Sequence, residues 1–363
     1  MANQSRMQKS SVKILDDHHR EILCRAISNV LSTQAAETAY AQVVDGLPLR
    51  DVAVVRHPRM ISLHPISNCH YQLCPGVVEK VQEFRDGFSP EALTFESMVL
   101  LAYQAAGPKS KAFGTRLIEL VALAVHQVAV LLFNLDTSLH KGDGITEWAP
   151  SKDDWLFWEK HPNGPLPTLL HHQWYTDFEQ YPEGVADMVG FWAESQILGG
   201  VVLFDRRPKD IGGEADAVYW HPGRRDATYR ICKLLPDQKQ KLLDFLIATE
   251  PQEAPPLPLL PGGENLIRVD PEEPIAETGI FRHIWERKEP PLSTAIDARM
   301  KDVLDPGDFP TVADWRAAAA RGWARKRKAE RAYDLEMTAR EKAAGRKPEG
   351  REMVYRERPA DSY

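Results

Sequence analysis

The chain has 363 residues, 43% hydrophobic and 27% charged, with a formal net charge of −7; these proportions exclude a chain disordered throughout and supply apolar side chains for one large core or two smaller ones. Four cysteines, Cys24, Cys69, Cys74 and Cys232, are too few for a disulfide framework at this length, so reduced thiols are expected. Charge is divided unevenly: residues 311–363 carry 14 Lys/Arg against 9 Asp/Glu and the first 310 carry 31 against 43, an acidic body with a basic tail.

The opening MANQSRMQKSSVK is polar and basic with no apolar run behind it, so no secretory signal is expected and a cytoplasmic location follows. From Asp16, Ile22, Leu23, Ala26, Ile27, Val30 and Leu31 recur at helical spacing, and Gly46-Leu47-Pro48 supplies a stop. Residues 51–75 hold three prolines among β-branched residues, which favours short extended pieces or loops. Helices are expected over Val77–Phe84 and Pro90–Ala106, the second with Ser89 as N-cap and Pro90 at the first helical position.

The run Leu117–Leu135 is the most apolar of the chain, yet Glu119, His126, Gln127 and Asn134 interrupt it; a buried helix fits it better than a membrane span. After the polar loop His140–Gly144, a helix is expected from Pro182 to about Leu198, stopped by Gly199-Gly200. Val201–Phe204, Ala217–His221 and Thr228–Cys232 read as strands of an antiparallel sheet, followed by an amphipathic helix over Gln238–Ile247. Seven prolines between Pro251 and Pro274 favour extended chain. Beyond Asp314 the composition predicts a charged helix with a thin apolar stripe of Trp315, Ala319 and Trp323. The expected fold is α+β and predominantly α-helical: a core over residues 1–250 with a small antiparallel sheet, a Pro-rich arm or linker over 251–310, and a projecting basic helical tail over 311–363.

Chemistry concentrates between Ile145 and Arg206, which holds five of the nine tryptophans, the pair His171-His172, and the acids Asp177, Glu179, Glu183, Asp187 and Glu194. On the helix after Pro182, Glu183, Asp187 and Glu194 share one face, with Gly190 between the last two. A solvent-facing acidic stripe is the simpler reading. The functional reading turns that face into a cleft, where paired carboxylates act as acid and base and Gly190 leaves room for a ligand. His172 or Asp177 is then the base, Asp187 or Glu194 the acid, and Trp174, Tyr175 and Trp192 shape a substrate pocket.

Other constellations carry less. His64, Cys69, His70 and Cys74 are zinc-ligand types, but their spacing lacks the usual paired pattern, so packing is the expected role and no metal is expected. Thr115, Arg116, Glu119, His126, Gln127 and Asn134 form a polar stripe on the apolar helix, where a histidine calls for a partner. Asp205-Arg206-Arg207 at a strand end fits a salt-bridge cluster as well as a site. The cluster Arg325–Lys328 is a candidate nuclear address, diluted by Glu330, Asp334, Glu336 and Glu341, which makes nucleic acid an unexpected partner. No GxGxxG, Walker A, HExxH, GxSxG or CxxC signature is present, so no cofactor is expected.

The block HHQWYTDFEQYPEGVADMVGFWAESQILGGVVLFDRR, followed by DAVYWHPGRRDATYRICKLLPDQKQKLLDFL, resembles a family of uncharacterised proteins of filamentous fungi, over about residues 50–250. The resemblance implies a fungal source and a place in specialised metabolism by analogy, and it carries no site residue over. Two functions are expected from the residues themselves. One is a cofactor-independent acid–base enzyme acting on an apolar or aromatic small molecule. The other is a non-catalytic interaction protein that meets a protein partner through an aromatic-rich surface and the basic tail.

Overall fold

The structure, a computed structural model, describes residues 8–56, 64–160, 163–224, 226–271, 273–288 and 311–343. Strand β1 (Lys9–Ser11) pairs antiparallel with β2 (Thr94–Glu96), Ser10 opposite Phe95. Helix α1 (Asp17–Leu31) starts where the Asp16 carboxylate accepts the His19 N–H, and it buries Leu23, Ala26, Ile27, Val30 and Leu31, the expected face. Helix α2 (Gln34–Asp45) is capped by Thr33 and ends on Gly46 at φ +95°, a left-handed position that suits glycine. Helix α3 (Arg50–Arg56) occupies part of the stretch read as extended or loop; it is followed by a 3-10 turn at Pro65–Asn68 and by α4 (Val77–Gly87).

The single helix expected over Pro90–Ala106 is divided. A 3-10 turn at Pro90–Ala92 leads into β2, and only then does α5 (Ser97–Gln104) form. Pairing with β1 buries Phe95, a tertiary gain that outweighs local helix preference. Helix α6 (Lys111–Asn134) is long and apolar enough to cross a membrane, but 72% of its apolar window is buried inside the protein. A short α7 (Trp155–Lys160) precedes α8 (Val185–Ile197), which begins three residues after Pro182 because Pro182, Glu183 and Gly184 form the turn that enters it.

The second half is built on a five-stranded antiparallel sheet in the order β6-β5-β4-β3-β7, made of β3 (Val201–Asp205), β4 (Val218–His221), β5 (Ile231–Lys233), β6 (Arg268–Val269) and β7 (Ile280–Phe281). Helix α9 (Pro236–Ile247) lies between β5 and β6 in the chain, and α10 (Ile275–Thr278) just before β7. Side chains alternate across the sheet. Val202, Phe204, Val218 and Trp220 join the main core with α1, α2, α6 and α8, whereas Val201, Leu203, Ala217 and Tyr219 join a second cluster with Tyr175, Met188 and Phe191. Helix α8 therefore serves both cores, packed along α6 on one side and facing the second cluster on the other.

The fold is α+β and mainly helical with a small antiparallel sheet, as expected. The boundary at residue 250 differs. Residues 268–281 supply both edge strands, and Asn265, Asp270, Arg282, Glu286 and Arg287 are buried, so the core extends to the end of the described segment at 288. Helix α11 (Val312–Ala343) forms the projecting tail, and nearly all of its described side chains are exposed. The stripe Trp315, Ala319 and Trp323, most of the basic cluster, and residues 289–310 lie outside the described side chains.

Candidate functional site

The acids of α8 do not face water. Asp187 and Glu194 point into the interface with α6 and hold His126 between them, Nδ1 at 2.8 Å from Glu194 Oε1 and Nε2 at 3.0 Å from Asp187 Oδ1. Arg282 donates two hydrogen bonds to Glu194, at 2.7 and 2.8 Å, the fork geometry that matches a carboxylate. The other Asp187 oxygen accepts the Glu183 N–H at 2.8 Å. Burial lowers the His126 pKa, but the two carboxylate hydrogen bonds outweigh it and raise the pKa, so the ring is held as an imidazolium with both N–H groups donating. Burial raises the Glu194 carboxyl while Arg282 and His126 pull it down below its ordinary value, and Asp187 is lowered by His126 in the same way.

The space beside Gly190 was expected to receive a ligand. It receives the imidazole of His126: a Cβ at Gly190 would lie 2.4 Å from His126 Nε2. The acid face of α8 is thus a buried ion-pair network between two helices and the segment after β7, and Glu286 extends it by accepting the Arg282 and His283 N–H groups, both at 3.0 Å.

The aromatic residues expected to shape a pocket are packed instead. Trp192 sits in the main core and Tyr175 is stacked on Phe191, ring centroids 4.5 Å apart; both are fully enclosed. His172 is buried, with Nε2–H donating to the His221 carbonyl at 3.2 Å and Nδ1 accepting the Trp174 N–H at 3.4 Å. Gly223 makes room for that ring, since a Cβ there would lie 2.2 Å from His172 Nε2. Trp174 is half-buried against His221 and Tyr229. Asp177 serves at the surface, where its carboxylate accepts the Lys288 N–H at 2.9 Å. His172, Asp177, Asp187 and Glu194 therefore do not converge on a common hollow.

A hollow does exist, one layer away. It measures about 220 Å³, is partly open, and is lined by the end of α2 (Val43, Gly46, Leu47), the end of α6 and its following loop (Phe133, Thr137, Ser138), and Trp148, Phe157, Leu166, Leu169, His64 and His171 among others. Of the histidine pair only His171 reaches it. His171 Nδ1 donates to the Thr168 carbonyl at 2.9 Å, and burial pushes its pKa down to about 4. His64 Nδ1 accepts the Ile66 N–H at 3.2 Å, which leaves its proton on Nε2; burial lowers this group too. Both rings are neutral near neutral pH. Thr137 Oγ1 is buried without a hydrogen-bond partner among the described residues, and Lys141 pairs with Asp136 at 2.6 Å on the rim.

Behind the wall lies a cluster of different character. Asp45, His70, Cys74 and His140 bring one donor atom each to within 4.8 Å of one another. Asp45 Oδ2 lies 3.0 Å from His70 Nε2, Asp45 Oδ1 lies 3.2 Å from His140 Nε2, and Cys74 Sγ lies 3.5 Å from His140 Nε2. Only His70 and Cys74 belong to the quartet weighed from the sequence. His64 faces the cavity, and Cys69 donates to the Pro65 carbonyl. Asp45 and His140 come from 25 residues before His70 and 66 after Cys74, so no local spacing could have announced the group. For His126 there was a signal, a lone imidazole on an apolar helix, but Arg282, which shares Glu194 with it, sits in the stretch read as arm. No family of known proteins, no curated protein and no solved structure matches this chain.

Proposed function

We propose that this protein binds a small apolar or aromatic molecule in the cavity between α2, the end of α6 and residues 146–157 and 165–171. The observation that supports this reading is the wall itself: the rings of Phe133, Trp148 and Phe157 beside Leu47, Leu166 and Leu169, with two neutral imidazoles and a buried hydroxyl among them. The lining is more apolar than polar, with Ser138, Thr146 and Thr168 beside the imidazoles and an Asp136–Lys141 pair on the rim, and apolar walls with placed polar groups are usual for a small-molecule site. At about 220 Å³, the hollow suits one or two rings, because a ~150 Å³ apolar cavity accommodates benzene. The ligand this wall favours is uncharged and largely apolar.

Acid–base turnover has less support than binding. His171, held to about 4, is a weak proton acceptor at neutral pH. Asp187, Glu194 and His172 have partners that occupy them, and none lines the cavity. The interaction-surface reading is weaker still for the aromatic residues, since among the described tryptophans of the region only Trp155 is largely exposed, at 67%.

The test is a titration of the full chain with a panel of uncharged one- and two-ring aromatics, indole and naphthol among them, followed by tryptophan fluorescence and ligand-observed NMR. Leu166→Trp fills the hollow and is expected to weaken the best ligand at least tenfold with little change in melting temperature. Equal binding by wild type and Leu166→Trp, or no binding by any member of the panel, overturns the proposal.

A further inference from the structure

We infer that Asp45, His70, Cys74 and His140 hold a divalent, borderline-soft cation of the zinc type, as a closed structural site. The first ground is the donor set. Two imidazole nitrogens, a thiol sulfur and a carboxylate oxygen are the zinc ligand types, and four protein ligands with little solvent access is the form structural zinc sites take. Donors on a tetrahedral zinc stand about 3.3–3.8 Å apart, given metal–ligand bonds of 2.0–2.3 Å. The contacts within the cluster run from 3.0 to 3.5 Å, with every pair inside 4.8 Å, so small side-chain adjustments complete the cage.

The second ground is how the histidines are held. His70 Nδ1 lies 2.8 Å from the Pro48 carbonyl and His140 Nδ1 lies 2.6 Å from Asp143 Oδ2. Each outer nitrogen faces an acceptor for its N–H, so with a metal bound each inner Nε2 is the nitrogen that turns a lone pair inward. Carbonyl and carboxylate acceptors on the outer nitrogen are the usual support of metal-bound histidine.

The third ground is what those lone pairs meet. They face the Asp45 carboxylate, whose Oδ2 accepts the Cys74 N–H at 3.0 Å and lies 3.0 Å from His70 Nε2, and whose Oδ1 is buried with no hydrogen-bond partner among the described residues although His140 Nε2 lies 3.2 Å away. A buried carboxylate oxygen in that position is costly unless something positive sits beside it. A cation among the four donors satisfies the oxygen, both nitrogens and the sulfur together.

The site ties three pieces distant in the chain: the last residue of α2, the segment before α4 and the loop after α6. Their neighbours Gly46, Ser138, Lys141 and Thr146 line the cavity, so the ion sets the position of the cavity wall from behind. The inference does not depend on what the cavity binds, since metal content and ligand binding are measured separately.

The experiment uses the full chain purified from zinc-supplemented cells and counted by inductively coupled plasma mass spectrometry. About one zinc per chain is expected. After exchange for Co²⁺, the d–d bands of a tetrahedral site and a thiolate-to-cobalt charge-transfer band are expected, both retained in Cys69→Ser. Cys74→Ser is expected to abolish the charge-transfer band. Asp143→Asn, which removes the charge facing the outer nitrogen of His140 while leaving an oxygen to accept the Ile145 N–H, is expected to weaken zinc 10- to 100-fold without changing the spectrum. Should Cys74→Ser fail to fold, the wild-type count and the charge-transfer band in Cys69→Ser decide the matter. A wild-type chain that takes up neither Zn²⁺ nor Co²⁺, or a charge-transfer band that disappears in Cys69→Ser and persists in Cys74→Ser, overturns the inference.

Discussion

His126 takes its charge from its position. An imidazole on an apolar helix would be neutral on burial alone, and the carboxylates of Asp187 and Glu194 reverse that balance. Its folded pKa lies above the unfolded value of about 6.5, so its contribution to stability is complete below that pH and is lost as pH rises through the folded value. The two carboxylates are held below their ordinary values; their contribution is present above the unfolded pKa near 4 and is lost as pH falls through the folded values. Urea unfolding of wild type and His126→Gln is expected to show a stability difference that is largest near pH 6 and shrinks as pH rises through the folded His126 value. A constant difference over that range would contradict the assignment. Glu194→Ala, which strands Arg282 in the interior, is expected to cost about 3–5 kcal/mol in the same measurement.

Among the elements, the junction between α2 and the loop after α6 is the most constrained. Gly46 takes φ +95° to end α2 directly after Asp45, and a Cβ there would lie 2.0 Å from Ser138 Oγ. Ser138 Oγ–H in turn donates to the Asp45 carbonyl at 3.2 Å. Gly46→Ala is therefore expected to destabilise by at least the roughly 1–2 kcal/mol of a left-handed non-glycine residue, and further by displacing the loop. Thermal unfolding with bound-metal counting checks it: a lower melting temperature and reduced zinc uptake should appear together. Helix α5 teaches the complementary lesson, since its sequence promises a longer helix and β2 takes the first part because Phe95 finds a core across β1.

At the scale of the molecule, the sheet closes the body. Both edge strands, β6 and β7, come from beyond residue 250, and Arg282 reaches from just after β7 into the α6–α8 interface. A chain cut after residue 250 loses both edges and leaves Glu194 without its guanidinium, so it is expected to aggregate or remain unfolded. Cutting after Lys288, which removes the exposed α11, is expected to preserve the cooperative melt within a few degrees. Circular dichroism melts of the two truncations distinguish them, and a folded 1–250 fragment would refute the reading of residues 251–288 as core.

The sequence by itself determined what depends on near neighbours in the chain. Helical spacing marked α1, α6, α8 and α9, turn residues bounded β3 and β4, and composition separated the charged tail, because propensity, capping and period are local properties. The acids of α8 were also legible as one face. Which way that face looks was decided only in three dimensions, by an imidazole from α6 and a guanidinium 88 residues after Glu194. Likewise the residue types at His70 and Cys74 were visible, but Asp45 and His140 join them only because α2 and the loop after α6 end side by side. Long-range contacts of this kind leave no periodic trace, so the site's membership was a tertiary fact from the start.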